Sequence, residues 1–234
     1  MNTLKLSGFW SSFLWLYVLL LGVLCSCDNA QETKIVDQTW MTENLNVDHF
    51  RNGDSIPEAK SFDEWRNFVL EEKPAFCYVR FDPANGEQHG KLYNKYAVLD
   101  DRGLAPEGWK IPAREDWEQL ESNISKEYQV YEIASKMKAP EGWAHLPGTS
   151  STPSTNETGF NALPSSYISV KKPDEYGNWI GVDIFSEDYF QNYYSINWWV
   201  SDGESTYTLI HNKDDLGWGG VPYDEGHYVR CLKE

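Results

Sequence analysis

The sequence predicts an α+β domain, on three observations. Helical periodicity marks the first half of the chain, while short apolar pieces separated by turns mark the second. No solenoid repeat and no linker-like stretch divides the two, so one domain is expected. Eleven Trp, fourteen Tyr and ten Phe among 234 residues supply the means for a large core. A mean hydropathy of −0.58 excludes a multi-span membrane protein.

The elements follow in order. Residues 35–45 alternate and carry Trp40 and Met41, which predicts an early strand and turn. Residues 51–57 (RNGDSIP) form a loop by their Asn-Gly, Asp-Ser and Pro content. Ser61-Phe62-Asp63-Glu64 reads as a capping box, and Phe62, Trp65, Phe68 and Val69 share a face, so a helix is predicted over 62–71 and stopped by Pro74. A strand is predicted over 75–81, a turn over 82–90, and helical spacing over 91–99 through Leu92, Tyr93, Tyr96 and Leu99. Pro112 opens a further helix on which Trp117, Leu120 and Ile124 align, although Ala113 offers no capping oxygen. One more helix is predicted over 128–137. From 139 the composition shifts: Pro, Gly, Ser, Thr and Asn dominate 147–161, and short strands follow to the end.

The N-terminus carries its own signal. Residues 9–24 (FWSSFLWLYVLLLGVL) hold thirteen apolar residues of sixteen, behind Lys5, which matches a signal-peptide core. The run ends in Leu24-Cys25-Ser26-Cys27. Leu24 and Ser26 stand three and one residues before Cys27, as in a lipobox, whereas Leu24 fits poorly directly before Cys25. The expectation is a signal peptide over 1–26, lipid on Cys27, a polar tether over 27–34 and the domain over 35–234. An uncleaved membrane anchor with two incidental cysteines is the alternative. Acyl chains on Cys27 would hold the protein to the cell envelope, in the outer membrane or at the cell surface.

The formal charge is −16, and loss of Lys5 with the leader leaves 19 basic against 36 acidic residues. Such a chain repels phosphate backbones, which excludes nucleic acid as a partner. Neutral sugars, Ca²⁺ or a basic protein face are the compatible partners.

These residues also carry a resemblance. Gln38-Thr39-Trp40-Met41-Thr42-Glu43-Asn44-Leu45-Asn46, then Gly90-Lys91-Leu92-Tyr93-Asn94, then Arg102-Gly103-Leu104-Ala105-Pro106-Glu107-Gly108-Trp109-Lys110-Ile111-Pro112 resemble the Fibrobacter succinogenes major paralogous domain. Trp117 and Leu120, Lys136-Met137-Lys138, Asn156-Glu157-Thr158-Gly159-Phe160-Asn161-Ala162-Leu163-Pro164, Trp198-Trp199 with Ser201, and Val229-Arg230-Cys231-Leu232 continue it in order. The resemblance implies a C-type-lectin-like fold in an exported or surface lipoprotein of the Bacteroidetes kind, and it implies no established activity. The chain departs from many members at Ala105 (Cys in those), Phe76 (Trp) and Val200 (Ser). Because lectin-like folds return the C-terminal strand to the start of the domain, a disulfide between Cys77 and Cys231 is expected, with two separate buried thiols as the alternative.

Catalytic motifs are missing from the sequence. There is no metalloprotease helix, no Gly-x-Ser-x-Gly elbow and no phosphate-binding Gly loop. Lectin-like folds include formylglycine-generating oxidases, which act through cysteines, but Cys231 has no second Cys nearby. The five histidines read as surface or loop residues. Asp183, Asp202, Glu204, Asp214 and Asp215 offer oxygens to Ca²⁺ without EF-hand spacing, so no metal and no cofactor are assigned. Trp40, Trp109, Trp117 and Phe160 read as core. Tyr193, Asn197, Trp198, Trp199, Asp202 and Trp218 are the candidate ligand residues, since exposed aromatics beside amides and carboxylates suit sugar faces; core packing is the alternative. Asp54-Ser55-Ile56 resembles the short O-glycosylation signal of Bacteroidetes surface proteins, with Ser55 as acceptor.

The leading expectation is a non-enzymatic envelope module that binds glycan or protein. A structural or adhesin subunit and an enzyme of unrecognised type are the competitors. The lipobox reading is checked by palmitate labelling of cells: label should enter the wild-type chain and be absent from Cys27→Ala, whereas equal labelling of both would refute it.

Overall fold

The computed structural model describes residues 31–144, 153–170, 194–221 and 225–234. The leader, Cys27, His145, Asp183 and Tyr193 lie outside the described residues. Among the described residues no helix is long and apolar enough to cross a membrane.

The elements are β1 (Glu32–Ile35), β2 (Gln38–Met41), α1 (Phe62–Leu70), β3 (Phe76–Cys77), α2 (Gly86–His89), β4 (Leu92–Asn94), α3 (Lys95–Val98), β5 (Trp109–Lys110), α4 (Arg114–Tyr128), α5 (Ala134–Met137), β6 (Ile168–Ser169), β7 (Ser195–Trp199), β8 (Ser205–Ile210), β9 (Gly217–Gly220), β10 (Glu225–His227) and β11 (Leu232–Lys233). The α+β class is as expected. Among the described residues the strands form two four-stranded sheets, β1-β2-β11-β5 and β3-β4-β10-β6, and a three-stranded sheet β7-β8-β9. Leu232 pairs with both Trp40 and Lys110, so the end of the chain closes on its beginning.

Helix α1 starts where its caps dictate. Ser61 Oγ accepts from Glu64 N at 3.2 Å, and Glu64 reaches back to Lys60 N at 2.7 Å. Trp65 and Val69 are buried, with Phe62 and Phe68 packed beside them. Trp65 lies so close to β10 that a Cβ at Gly226 would come within 2.5 Å of its ring, so only glycine fits there. Helix α4 lacks a capping oxygen at Ala113, but Asp116 accepts from Ala113 N at 2.8 Å and also binds Lys110 Nζ at 2.9 Å. Its Trp117, Leu120 and Ile124 are fully buried.

Four predicted elements differ. The turn predicted over 82–90 holds a 3-10 turn at Pro83–Asn85 and the short helix α2. Residues 91–99 split into β4 and α3, because Leu92 and Tyr93 pair with Cys77 and Phe76 while Asn94 changes the chain's course. Asn94 Oδ1 caps α3 through Ala97 N (3.0 Å), accepts from Ala75 N (3.1 Å), and its amide donates to Lys73 O. The strand predicted over 75–81 stops at Cys77; a 3-10 turn follows at Val79–Phe81, with Arg80 and Phe81 at φ 58° and 55°. The helix predicted over 128–137 shortens to α5, since Gln129 leaves α4 in the left-handed region.

The interior is aromatic. Trp40 (β2), Trp117 (α4), Phe160, Trp198 (β7) and Tyr207 (β8) join: Trp117 stacks on Trp198 at 5.6 Å and on Tyr207 at 5.1 Å, and Phe160 meets Trp198 edge-on at 5.5 Å. Beside this column Arg230 is 2% exposed. Its Nε and Nη2 donate to Asn44 Oδ1 at 3.2 and 2.9 Å, its Nη1 donates to Met41 O at 3.2 Å and to Phe160 O, and the guanidinium sits over the rings of Phe160 and Trp198. Asn44 Oδ1 also accepts from Trp198 Nε1 at 2.8 Å, and the Asn44 amide donates to His89 O. Gly90 must be glycine beside this hub: its φ is +75°, and a Cβ would fall 2.9 Å from Asn44 O.

Asn44→Leu removes the acceptor shared by a buried cation and a buried indole. Denaturant unfolding should show a loss of roughly 3–5 kcal/mol. A loss below about 1 kcal/mol would show that other acceptors replace it.

Candidate functional site

Six side chains were expected to face ligand, and the structure separates them. Trp198 and Trp199 are both 0% exposed: the first donates to Asn44, and the second donates its Nε1 to Tyr93 O at 2.7 Å. Their expected place on the surface is corrected to the core, because these apolar faces complete the aromatic column and the β4 contact. Asn197 is half-buried and its Oδ1 accepts from Thr208 Oγ1 across the β7–β8 pair. Asp202 is exposed, but its carboxylate is taken up by its own turn, accepting from Glu204 N (2.8 Å), Ser205 N (2.9 Å) and Ser205 Oγ (2.6 Å). It serves as a turn cap rather than a ligand contact. Tyr193 lies outside the described residues. Trp218 remains, 50% exposed.

Trp218 is placed by strand register. Trp198, Tyr207 and Trp218 stand opposite one another across β7, β8 and β9, on one face of the sheet. Exposure rises along that row, from 0% through 2% to 50%, as it leaves the cover of α4. At the outer end the Arg114 guanidinium lies 4.3 Å from the Trp218 ring centroid, and its Nε is bonded to Glu118 at 2.8 Å. The indole is therefore braced on one face. Its strand neighbours are Gly217, Gly219 and Gly220; a Cβ at Gly219 would meet nothing within 4 Å, and at the other two only a carbonyl at 3.6 or 3.9 Å. None of the three takes a positive φ. No steric demand of the fold explains these glycines, and they leave the ring standing clear above bare backbone. Around it are Arg114, Glu118 and the Tyr207 phenol, whose pKa is raised to about 12 by burial and by Glu121 and Glu118. Glu121 is itself held above the usual carboxylate range by burial and by the charges of Glu118 and Asp215.

The cysteines are corrected too. Cys77 and Cys231 are both free, both 0% exposed, and belong to different clusters of the core. Cys77 pairs with Leu92 in the second sheet, while Cys231 accepts from Met41 N through its carbonyl in the first. Burial pushes the Cys77 thiol far up and the Cys231 thiol up to about 12, so neither is an activated nucleophile. Of the histidines expected as surface or loop residues, His49 is exposed and His211 lies in a turn, though buried at 8% exposure, whereas His89 in α2 and His227 in β10 are buried inside elements at 5% and 2%, with His227 Nε2 bonded to Glu225 at 2.8 Å. Among the described residues no group of three His, Cys, Asp or Glu side chains is placed to hold a metal, and of the carboxylates weighed for Ca²⁺, Asp183 lies outside them. Near Asp214 and Asp215 the cation is internal: buried Lys138 donates to the carbonyls of Ile210, His211 and Lys213 at 2.8, 3.2 and 3.0 Å. Burial lowers its pKa to about 8, against the attraction of Asp214 and Asp215, so it is charged at neutral pH.

With this geometry in hand the family can be placed. The Fibrobacter succinogenes major domain matches residues 33–233. The chain belongs to this family. Neither a curated protein nor a solved structure matches it. The family's motif residues fall mostly inside the domain: Trp40, Asn94, Trp117, Lys138, Phe160, Trp198, Trp199 and Arg230 are each at most 2% exposed. The Fibrobacter succinogenes major domain motifs thus specify the fold. The site residues that sequence reasoning missed, Arg114 and the three glycines, lie outside the motifs. Their one signal was Gly217-Trp218-Gly219-Gly220 itself, a lone aromatic among glycines in the late part of the chain where short strands were expected.

Alkylation without reductant, followed by peptide mapping, should leave Cys77 and Cys231 unlabelled in the native protein and label both after unfolding. Failure to label them in the unfolded chain would restore the disulfide.

Proposed function

We propose that this chain is an exported lipoprotein, anchored through Cys27, whose domain is a non-enzymatic binding module of the cell envelope with a C-type-lectin-like arrangement. Its contact surface for a neutral glycan is the Trp218 ribbon. The observation that carries the reading is a half-exposed indole braced from one side by Arg114 and flanked by three glycines that the fold does not need. A sugar ring stacks its C–H face on such an indole, and its hydroxyls meet the nearby guanidinium and carboxylates. The leader ending at Cys27 and the acidic charge support placement at the outer membrane or cell surface, away from nucleic acid. The exposed Ser55 in its loop suits glycan attachment. The unreactive thiols and the buried histidines support a role without covalent catalysis.

A second reading, as a structural or adhesin subunit, is favoured by one observation. Among the described residues β9 pairs only with β8, so its outer edge offers backbone groups to a strand of another protein.

Full-length protein in mild neutral detergent on a glycan array tests the first reading. Binding is expected, and Trp218→Ala should weaken it about tenfold, equivalent to about 1.4 kcal/mol, with unchanged circular dichroism. Glycan binding that survives Trp218→Ala, or none at all, would overturn it.

A further inference from the structure

A separate, mainly apolar opening lies away from the Trp218 ribbon. A cleft of about 520 Å³ runs between the 43–47 segment and the 106–109 turn. That size falls within the roughly 300–1,000 Å³ range of ligand sites. Its floor is Met41, Leu45 and the indole of Trp109, and its rim carries the exposed carboxylates Glu43 and Glu107.

Both walls are fixed before any ligand arrives. On one side Asn44 is locked by Arg230 and Trp198, Leu45 N donates to Val229 O at 2.8 Å, and Lys91 Nζ donates to Asn46 O at 2.7 Å. On the other, Arg51 gathers the carbonyls of Ala105, Pro106 and Trp109 at 3.1, 3.3 and 2.9 Å. These contacts clamp the walls from behind, so the floor cannot collapse to fill the cleft. The lining residues themselves carry two carboxylates and no Lys or Arg, in a chain of charge −16. A sugar would waste its hydroxyls on this floor, and an acidic ligand would be repelled. The indole already carries one ammonium, Lys233, at 5.5 Å from its centroid.

We infer that this cleft binds a basic, extended peptide segment of a partner protein, seating an apolar side chain on Met41, Leu45 and Trp109 between cations that meet Glu43 and Glu107. The site is separate from the Trp218 ribbon, so either can fail without the other.

The test is fluorescence anisotropy of the full chain in neutral detergent with a short labelled peptide of alternating Lys and Leu. The Lys-Leu peptide should bind, and its Glu-for-Lys counterpart should not. Glu43→Gln with Glu107→Gln should weaken binding about three- to tenfold and flatten its salt dependence. Gln31→Lys, a new cation at the exposed rim, should weaken it likewise. Trp218→Ala should change nothing, nor should Asp101→Asn with Glu115→Gln, two exposed carboxylates elsewhere. Absence of binding, equal binding of the acidic peptide, or an equal loss in the Asp101/Glu115 variant would overturn the assignment. So would concentration-dependent dimerisation abolished by the Glu43/Glu107 changes, which would give the cleft to a second copy of the chain.

Discussion

A buried guanidinium organises this domain. Arg230 sits near the C-terminus at 2% exposure, and among the described residues no carboxylate is bonded to it. A cation removed from water must be met by enough oxygen acceptors, or the fold cannot hold it. Here the acceptors are the Asn44 amide and the carbonyls of Met41 and Phe160. Satisfying one side chain therefore fixes the end of β2, the segment after it and the Phe160 loop to the last residues of the chain. Trp198 shares the same acceptor, which ties in the three-stranded sheet. Neutralising Arg230 is not an available escape: burial lowers its pKa to about 9, still above neutral pH.

This constraint decides where function can reside. Residues committed to the hub and to the aromatic column are unavailable to ligands, and they are largely the residues that define the family. The two recognition surfaces proposed above both lie in what the hub leaves outside. One is the β9 ribbon, where a row that begins in the core at Trp198 ends in solvent at Trp218. The other is the cleft beside Asn44, whose near wall the hub holds open. A rigid scaffold with variable display positions at its edge is the arrangement such separation produces.

How much of this was legible in the sequence depends on the range of the interaction. Helices α1 and α4 could be read, because their caps and apolar faces are local: Ser61 with Glu64, and Trp117, Leu120 and Ile124 at helical spacing. The 91–99 segment could not, since Leu92 and Tyr93 become strand only through partners in β3 and β10. The late aromatics failed for the same reason. Trp198 and Trp218 look alike in sequence, and only the order β7-β8-β9 and the position of α4 make one core and the other surface. Arg230 carried a signal that was not used: an arginine between Val229 and Cys231, in a run of apolar residues, is a charge with nowhere to go but a buried site. The cysteines misled because the expected export and the expected return of the last strand to the start of the domain invite a bridge, whereas Cys77 pairs with Leu92 in the second sheet and Cys231 stands just before β11, bonded through its carbonyl to Met41 of the first.

The account rests on one division, with motif tryptophans inside and Trp218 outside. Stepwise oxidation of the native protein with N-bromosuccinimide, read by peptide mapping, tests it directly. Trp218 should be modified first, while Trp40, Trp117, Trp198 and Trp199 stay protected until the domain unfolds. Oxidation of Trp198 or Trp199 in the folded protein as fast as Trp218 would contradict the hub and the display surface together.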